Sequence, residues 1–161
     1  MSKAVLISIR PEWCEKIISG EKTIEVRKTR PKMNPPFKCY IYRSVQGGVI
    51  GEFVCDDIFA RIVRVGAICE PPKYCICDWN MDCTPLDTIL ADACLTKDEL
   101  EKYLDGGVGY GWHISNLKIY DTPRELREFY AVPNEVEVAL KAKPKPITRP
   151  PQSWRYVEAE L

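Results

Sequence analysis

One stretch of the chain gathers charged side chains at a spacing that can do chemistry: Gly20-Glu21-Lys22-Thr23-Ile24-Glu25-Val26-Arg27. Its apolar residues alternate with period two, so Ile24 and Val26 face one way while Thr23, Glu25 and Arg27 face the other. Glu25 and Arg27 then stand side by side, and Lys22 at the preceding turn adds a second cation to the same small volume. A carboxylate between two cations can hold a phosphate, or act as a general base beside an electrostatic partner. The same spacing also describes an exposed ladder of ion pairs that contributes little.

Flat rings beside cations hold single-stranded nucleic acid, and the chain offers Tyr40, Tyr42, Tyr110, Trp112 and Trp154. Tyr40 and Tyr42 share one face of their strand with Lys38, which reads equally as a stacking platform or as an ordinary cross-strand aromatic pair. His113 is the single histidine. It suits proton transfer near neutral pH, and its solitude excludes a two-histidine metal site.

Cys69, Cys75, Cys77, Cys83 and Cys94 follow the spacing C-x5-C-x-C-x5-C-x10-C, without the paired C-x2-C knuckles of a zinc ribbon. No metal or other cofactor is therefore expected. Cys69, Cys75, Cys77 and Cys83 are the thiolates that would have to converge if zinc were bound. Cys14, Cys39 and Cys55 read as small core residues.

The elements that position these groups are legible from local pattern. Lys3–Ile9 is an apolar, β-branched run and reads as a buried strand. Pro11 suits the first turn of a helix Pro11–Ser19, which Gly20 ends. With the strand Lys22–Arg27, a β–α–β unit opens the chain. Phe37–Arg43, Val49–Cys55 and Ile58–Val65 read as three further strands, the first two joined at Gly47-Gly48, and this argues for an antiparallel meander or small barrel. Residues 66–108 look like a Cys/Asp-rich insertion within a single domain, containing a helix capped by Thr96 with Glu99 and ended by Gly106-Gly107. Tyr110–Tyr120 is again strand-like, and Thr122-Pro123-Arg124-Glu125 predicts a short helix to about Phe129. The basic, Pro-rich segment 141–161 should run extended and close on a strand Trp154–Val157.

At 161 residues the chain can bury a sizeable core without staples. Its formal net charge is zero, but residues 1–50 carry +6, residues 51–140 carry −9 and residues 141–161 carry +3. Nonspecific coating of duplex nucleic acid is thereby disfavoured, while a local cationic cleft is permitted. Lys141, Lys143, Lys145, Arg149 and Arg155 extend a cationic track or form a solvated connector. No apolar run approaches the roughly 18–20 residues a membrane span needs, and the opening MSKAVLISIRPEW lacks the form of a signal peptide. A cytoplasmic chain with reduced thiols is the expectation.

Gly20, Lys22, Glu25 and Arg27 match the G-x-K-x-x-E-x-R signature of the ASCH domain family. LISIRPEWCEKIISG, YGWHISNL and PPQSWRYVE resemble segments that bacterial and phage-borne members carry in the same order. The resemblance implies an α+β, PUA-like fold, a mostly antiparallel small β-barrel with flanking helices. It also implies a cleft lined by the signature that takes single-stranded RNA or a nucleotide. On that basis Lys22 would neutralise a phosphate or polarise a carbonyl, Glu25 would accept or act as base, and Arg27 would hold the carboxylate or the ligand. Arg10, Tyr40, Tyr42, Trp112 and His113 complete the candidate ligand-binding set. Some members resemble amidohydrolases that deacylate N4-acylated cytidine with a Lys, a Thr nucleophile and a Glu. This chain keeps the Lys but has Glu25 at the nucleophile's place, which leaves Thr23 as the substitute hydroxyl. Other members resemble metal-assisted ribonucleases acting on single-stranded RNA, which implies a catalytic divalent metal as the alternative to a cofactor-free site. A hydrolase using Lys22 and Glu25 is thus the alternative to a binding module, and a host- or phage-interaction protein with a degenerate cleft is a third reading.

Overall fold

A computed structural model describes residues 2–65, 73–77, 83–84 and 86–160, and the chain forms two compact units. The first comprises Met1–Glu15, Pro36–Val54 and Asn116–Leu161; the second comprises Lys16–Pro35 and Cys55–Ser115.

The first unit is built on β1 (Lys3–Ile9), whose apolar residues are buried at five of seven positions. It pairs in parallel with β3 (Phe37–Arg43), with Val5 opposite Cys39 and Ile9 opposite Arg43. On its other side it pairs antiparallel with β8 (Trp154–Glu158), with Lys3 opposite Glu158 and Ile7 opposite Trp154. The closing strand predicted from the sequence is therefore present. Ala4, Leu6, Tyr40, Val49, Phe129, Ile147 and Val157 form one core cluster.

The chain leaves β3 through a tight turn in which Gly47 and Gly48 both take positive φ, and the Gly47 N–H donates to Arg43 O at 2.9 Å. A glycine is also required at Gly51. A Cβ there would fall 2.4 Å from the Lys118 carbonyl oxygen, a contact only a bare Cα permits.

The second unit contains β2 (Ile24–Arg27), antiparallel to the opening residues of β7 (Gly109–Arg124). Ile24 lies opposite His113, Glu25 opposite Trp112, Val26 opposite Gly111 and Arg27 opposite Tyr110. The later half of β4 (Val49–Val65) pairs with β5 (Lys73–Cys77), and β5 pairs with β6 (Cys83–Thr84). Two helices, α2 (Asp87–Ala93) and α3 (Lys97–Leu104), bury Leu86, Ile89, Ala93, Leu100 and Leu104 with Ile24 and Val26. The capping box between Thr96 and Glu99 starts α3 as expected. α1 (Pro11–Ile18) has chain in both units; its Cys14 and Ile17 are buried, whereas Ile18 is exposed.

The expected α+β class holds, with a mixed, mostly antiparallel sheet and flanking helices. Two local expectations are corrected. Val49–Cys55 and Ile58–Val65 are one strand, Val49–Val65, which carries Asp56 and Asp57 through it. β7 continues through Pro123 to Arg124, so no helix starts at Thr122. Glu125 and Glu128 form the capping box there instead, around a single 3₁₀ turn Leu126–Glu128. The chain opens β–α–β as expected, with β1 paired in parallel to β3 and β2 antiparallel to β7. Two further helices, α2 and α4 (Glu135–Ala139), were not foreseen; an Asn134–Glu137 capping box starts α4.

Candidate functional site

The signature is assembled in the second unit by β2, the turn before it and the end of α2. Gly20 takes φ +83° to close α1, and the Lys22 N–H then donates to Lys16 O, which brings the chain round into β2. Two groups satisfy the carbonyls that end α2. The Thr23 N–H donates to Asp92 O at 2.8 Å, and Lys22 Nζ donates to Ala93 O at 2.6 Å. A cation is favoured at that helix end, where carbonyls lack intrahelical partners.

Glu25 joins the two cations. Its Oε1 accepts from Arg27 Nε at 2.9 Å and lies 2.8 Å from Arg27 Nη2, and its Oε2 lies 3.4 Å from Lys22 Nζ. Lys22, Glu25 and Arg27 are only 3%, 6% and 8% exposed. This is a buried triad of two positive charges and one negative, not the exposed ladder that the spacing also allowed. Charges so deeply withdrawn from water persist only when paired and hydrogen-bonded, as these are.

Trp112 and Tyr110 are the cross-strand neighbours of Glu25 and Arg27 on the same face of the sheet. Tyr103, on α3, also comes to the site. Burial pushes its phenol pKa up, and the charges of Arg27 and Glu25 act on it in opposite directions. Its ring is 40% exposed and Lys28 Nζ lies 5.1 Å from the ring centroid. Sequence reasoning missed Tyr103 and Lys28; the signal available was Lys28 directly after the signature strand, since Tyr103 arrives by tertiary packing alone.

The remaining candidates are dispersed. Arg10, Tyr40 and Tyr42 belong to the first unit. Arg10 is exposed, and its carbonyl receives the N–H groups of Trp13 and Cys14 at the start of α1. Tyr40 is fully buried, packs against Phe129 at 4.9 Å between centroids, and its hydroxyl accepts from the Glu160 N–H. Tyr42 packs against the same core cluster. The stacking platform expected of Tyr40 and Tyr42 is thus corrected to core packing. Trp112 is also fully buried, so its indole presents no face for a base to stack on.

His113 falls on the Ile24 face of the sheet, opposite to the face that carries Glu25. There its Nδ1 lies 2.6 Å from Asp56 Oδ1, and that hydrogen bond holds the Asp56 carboxyl below the usual carboxylate range. Thr23 is half-buried and fixed by its backbone, whose carbonyl accepts from the Ile114 N–H.

Among the cysteines, Cys14, Cys39 and Cys55 are buried free thiols; burial pushes Cys55 up to about 12. Cys69 lies outside the described residues, as do the side chains of Cys75, Cys77 and Cys83. Among the described residues no group of His, Cys, Asp and Glu can hold a metal ion, and no helix is long and apolar enough to cross a membrane.

Residues 7–77, which hold the whole signature triad, match the ASCH domain. Over this stretch the chain resembles the ASCH family. Solved ASCH structures share the fold well beyond it. The ASCH protein of Zymomonas mobilis superposes with a TM-score of 0.60 at 18% identity, over 96% of this chain and 87% of that one. Two variants of the same protein also match. A tyrosine-to-phenylalanine mutant has a TM-score of 0.60 at 18% identity, over 98% of this chain and 91% of that one. A serine-to-alanine mutant has a TM-score of 0.61 at 17% identity, over 96% and 88%. No curated protein matches the chain.

Proposed function

We propose that this protein is a binding module that holds single-stranded RNA, or a nucleotide with or without a modified base, at Lys22, Glu25 and Arg27. The observation that carries the reading is the gathering of two buried cations, Lys22 and Arg27, around one carboxylate of the signature strand. A phosphate oxygen is the natural complement of two clustered cations, one of them a planar guanidinium. The half-exposed Tyr103 ring, with Lys28 over it, supplies an aromatic surface beside the cations.

The hydrolase alternative has less support. Both oxygens of Glu25 are engaged, one by Arg27 and the other by Lys22, so Glu25 would have to give up a cation before it could take a proton from a nucleophile. Fluorescence anisotropy with labelled single-stranded RNA tests the binding reading. Arg27→Ala should weaken binding and flatten its salt dependence, and Lys28→Ala, at an exposed position, should do so without disturbing the fold. Titrations unchanged in both variants would sink the proposal.

A further inference from the structure

Strand register in the second unit brings together three cysteines that the signature site does not use. β5 runs antiparallel to β6, with Ile76 opposite Thr84 and Cys77 opposite Cys83. Directly opposed residues of an antiparallel pair have Cα atoms about 4.5–5.5 Å apart, inside the roughly 4.4–6.8 Å that a disulfide requires. Cys75 stands two residues before Cys77 and so on the same face of β5, but to Cys83 it is the diagonal neighbour, at about 7–8 Å. Beyond roughly 7 Å two cysteines cannot be bridged without moving the backbone. Register therefore singles out Cys77 over Cys75 as the partner of Cys83, a distinction that the spacing C-x-C-x5-C does not make.

We propose that Cys77 and Cys83, held opposite one another by the pairing of β5 with β6, are a reversible dithiol–disulfide site that a low-molecular-weight disulfide such as oxidised glutathione closes. One cysteine thiolate attacks a sulfur of the glutathione disulfide, which breaks that S–S bond, forms a mixed disulfide and releases one glutathione. The second thiolate then attacks the bonded cysteine sulfur and releases the other glutathione. The two cysteines together lose two electrons and two protons, and the oxidant is reduced to two glutathione thiols. The described thiols elsewhere are less suited to this exchange. Cys14, Cys39 and Cys55 are buried, and burial pushes Cys55 up to about 12, which leaves almost none of the attacking thiolate at neutral pH. Cys94 is the C-cap of α2, where no strand register holds a second cysteine opposite it. In a reducing compartment a disulfide of this kind is transient and serves sensing or catalysis rather than structure.

The test treats the full chain with oxidised glutathione at about pH 8, near the ordinary thiol pKa, then quenches in acid and alkylates the remaining thiols in denaturant. The oxidised chain should carry two fewer alkylatable thiols than the eight of the reduced one. Cleavage before Asp78, Asp82 and Asp87 leaves Cys83 in a peptide with no other cysteine, and mass spectrometry should find that peptide joined to Cys77. Cys77→Ser should abolish the linkage, and Cys75→Ser should leave it unchanged. The peptide map of the unaltered chain decides the pairing even where a variant fails to fold. Repeating the oxidation in guanidinium chloride should lower the yield of the Cys77–Cys83 linkage severalfold, because no register then holds the two residues opposite one another. Cys83 joined to Cys75, equal yields in the native and the denatured chain, or a Cys83 that takes up glutathione and goes no further would each overturn the proposal. A stoichiometric zinc ion that blocks the oxidation until a chelator removes it would overturn it in favour of a metal site. No RNA enters the assay, so its outcome is independent of the reading of Lys22, Glu25 and Arg27.

Discussion

Glu25 and Arg27 stand two residues apart on β2 and are joined through a single oxygen, Oε1, which receives Arg27 Nε at 2.9 Å and lies 2.8 Å from Nη2. That leaves Oε2 to Lys22, so one carboxylate pairs with two buried cations by dividing its oxygens between them. The arrangement makes Glu25 the most costly member of the triad to remove. Glu25→Gln would take from the buried Lys22 and Arg27 the carboxylate they share, and removing one partner from a buried ion pair costs about 3–5 kcal/mol. Urea unfolding of the variant should show a loss of that size; a loss below about 1 kcal/mol would place the triad with weak surface pairs instead.

Much of this was legible locally, and the remainder was not, for a definite reason. β1, β8, the Gly47-Gly48 turn and the Thr96–Glu99 capping box each depend on residues within a few positions of one another, and each is where the sequence puts it. The Lys22, Glu25 and Arg27 constellation is equally local, since a period-two strand brings Glu25 and Arg27 together. Its burial is not local: Lys22 is sealed by Ala93, seventy-one positions away. The parallel pairing of β1 with β3, the arrival of Tyr103 beside Arg27, and the burial of Tyr40 and Trp112 are likewise products of tertiary packing. An aromatic residue on a strand reads the same whether its ring ends in the core or at the surface.

Backbone closeness gives a second test. Gly51 lies so near β7 that a Cβ would stand 2.4 Å from Lys118 O and 3.1 Å from Ile119 Cα, both of them backbone atoms. Gly51→Ala should therefore destabilise by at least about 1–3 kcal/mol, the range for forcing extra volume into a packed interior. Gly106, whose Cβ would meet nothing within 4 Å but whose φ is +78°, should show only the smaller backbone penalty of about 1 kcal/mol on substitution by alanine. Denaturant midpoints of the two variants, measured side by side, check the ranking.

The Asp56–His113 contact predicts a pH response. The hydrogen bond from His113 is the largest influence on the Asp56 carboxyl and lowers its pKa below the ordinary aspartate value. A group whose folded pKa is depressed contributes stability that is present above its unfolded pKa and is lost as pH falls through the folded one. Asp56 should therefore help to hold the fold at neutral pH and cease to do so in acid, below the ordinary aspartate range. The ¹³C carboxyl titration of Asp56 should have its midpoint below that range, and His113→Ala should move it back up. Because both side chains are more than a third exposed, water screens the pair and the effect on stability should be small.

The last prediction separates ring from hydroxyl at Tyr103. Tyr103 is 40% exposed, the charge of Arg27 reaches its phenol, and Lys28 is placed over its ring, so the feature available to a ligand is an aromatic face with a cation over it. Stacking needs the face and not the phenolic oxygen. Tyr103→Phe should accordingly bind single-stranded RNA as the unaltered chain does, whereas Tyr103→Ala should lose about fivefold or more in affinity, the lower bound for one stacked base. Leu100 and Leu104 anchor α3 in the core, so the helix should survive either substitution, and far-ultraviolet circular dichroism can verify it. Equal losses in both variants would mean that the hydroxyl, not the ring, meets the ligand. Wild-type affinity in Tyr103→Ala would remove Tyr103 from the site altogether.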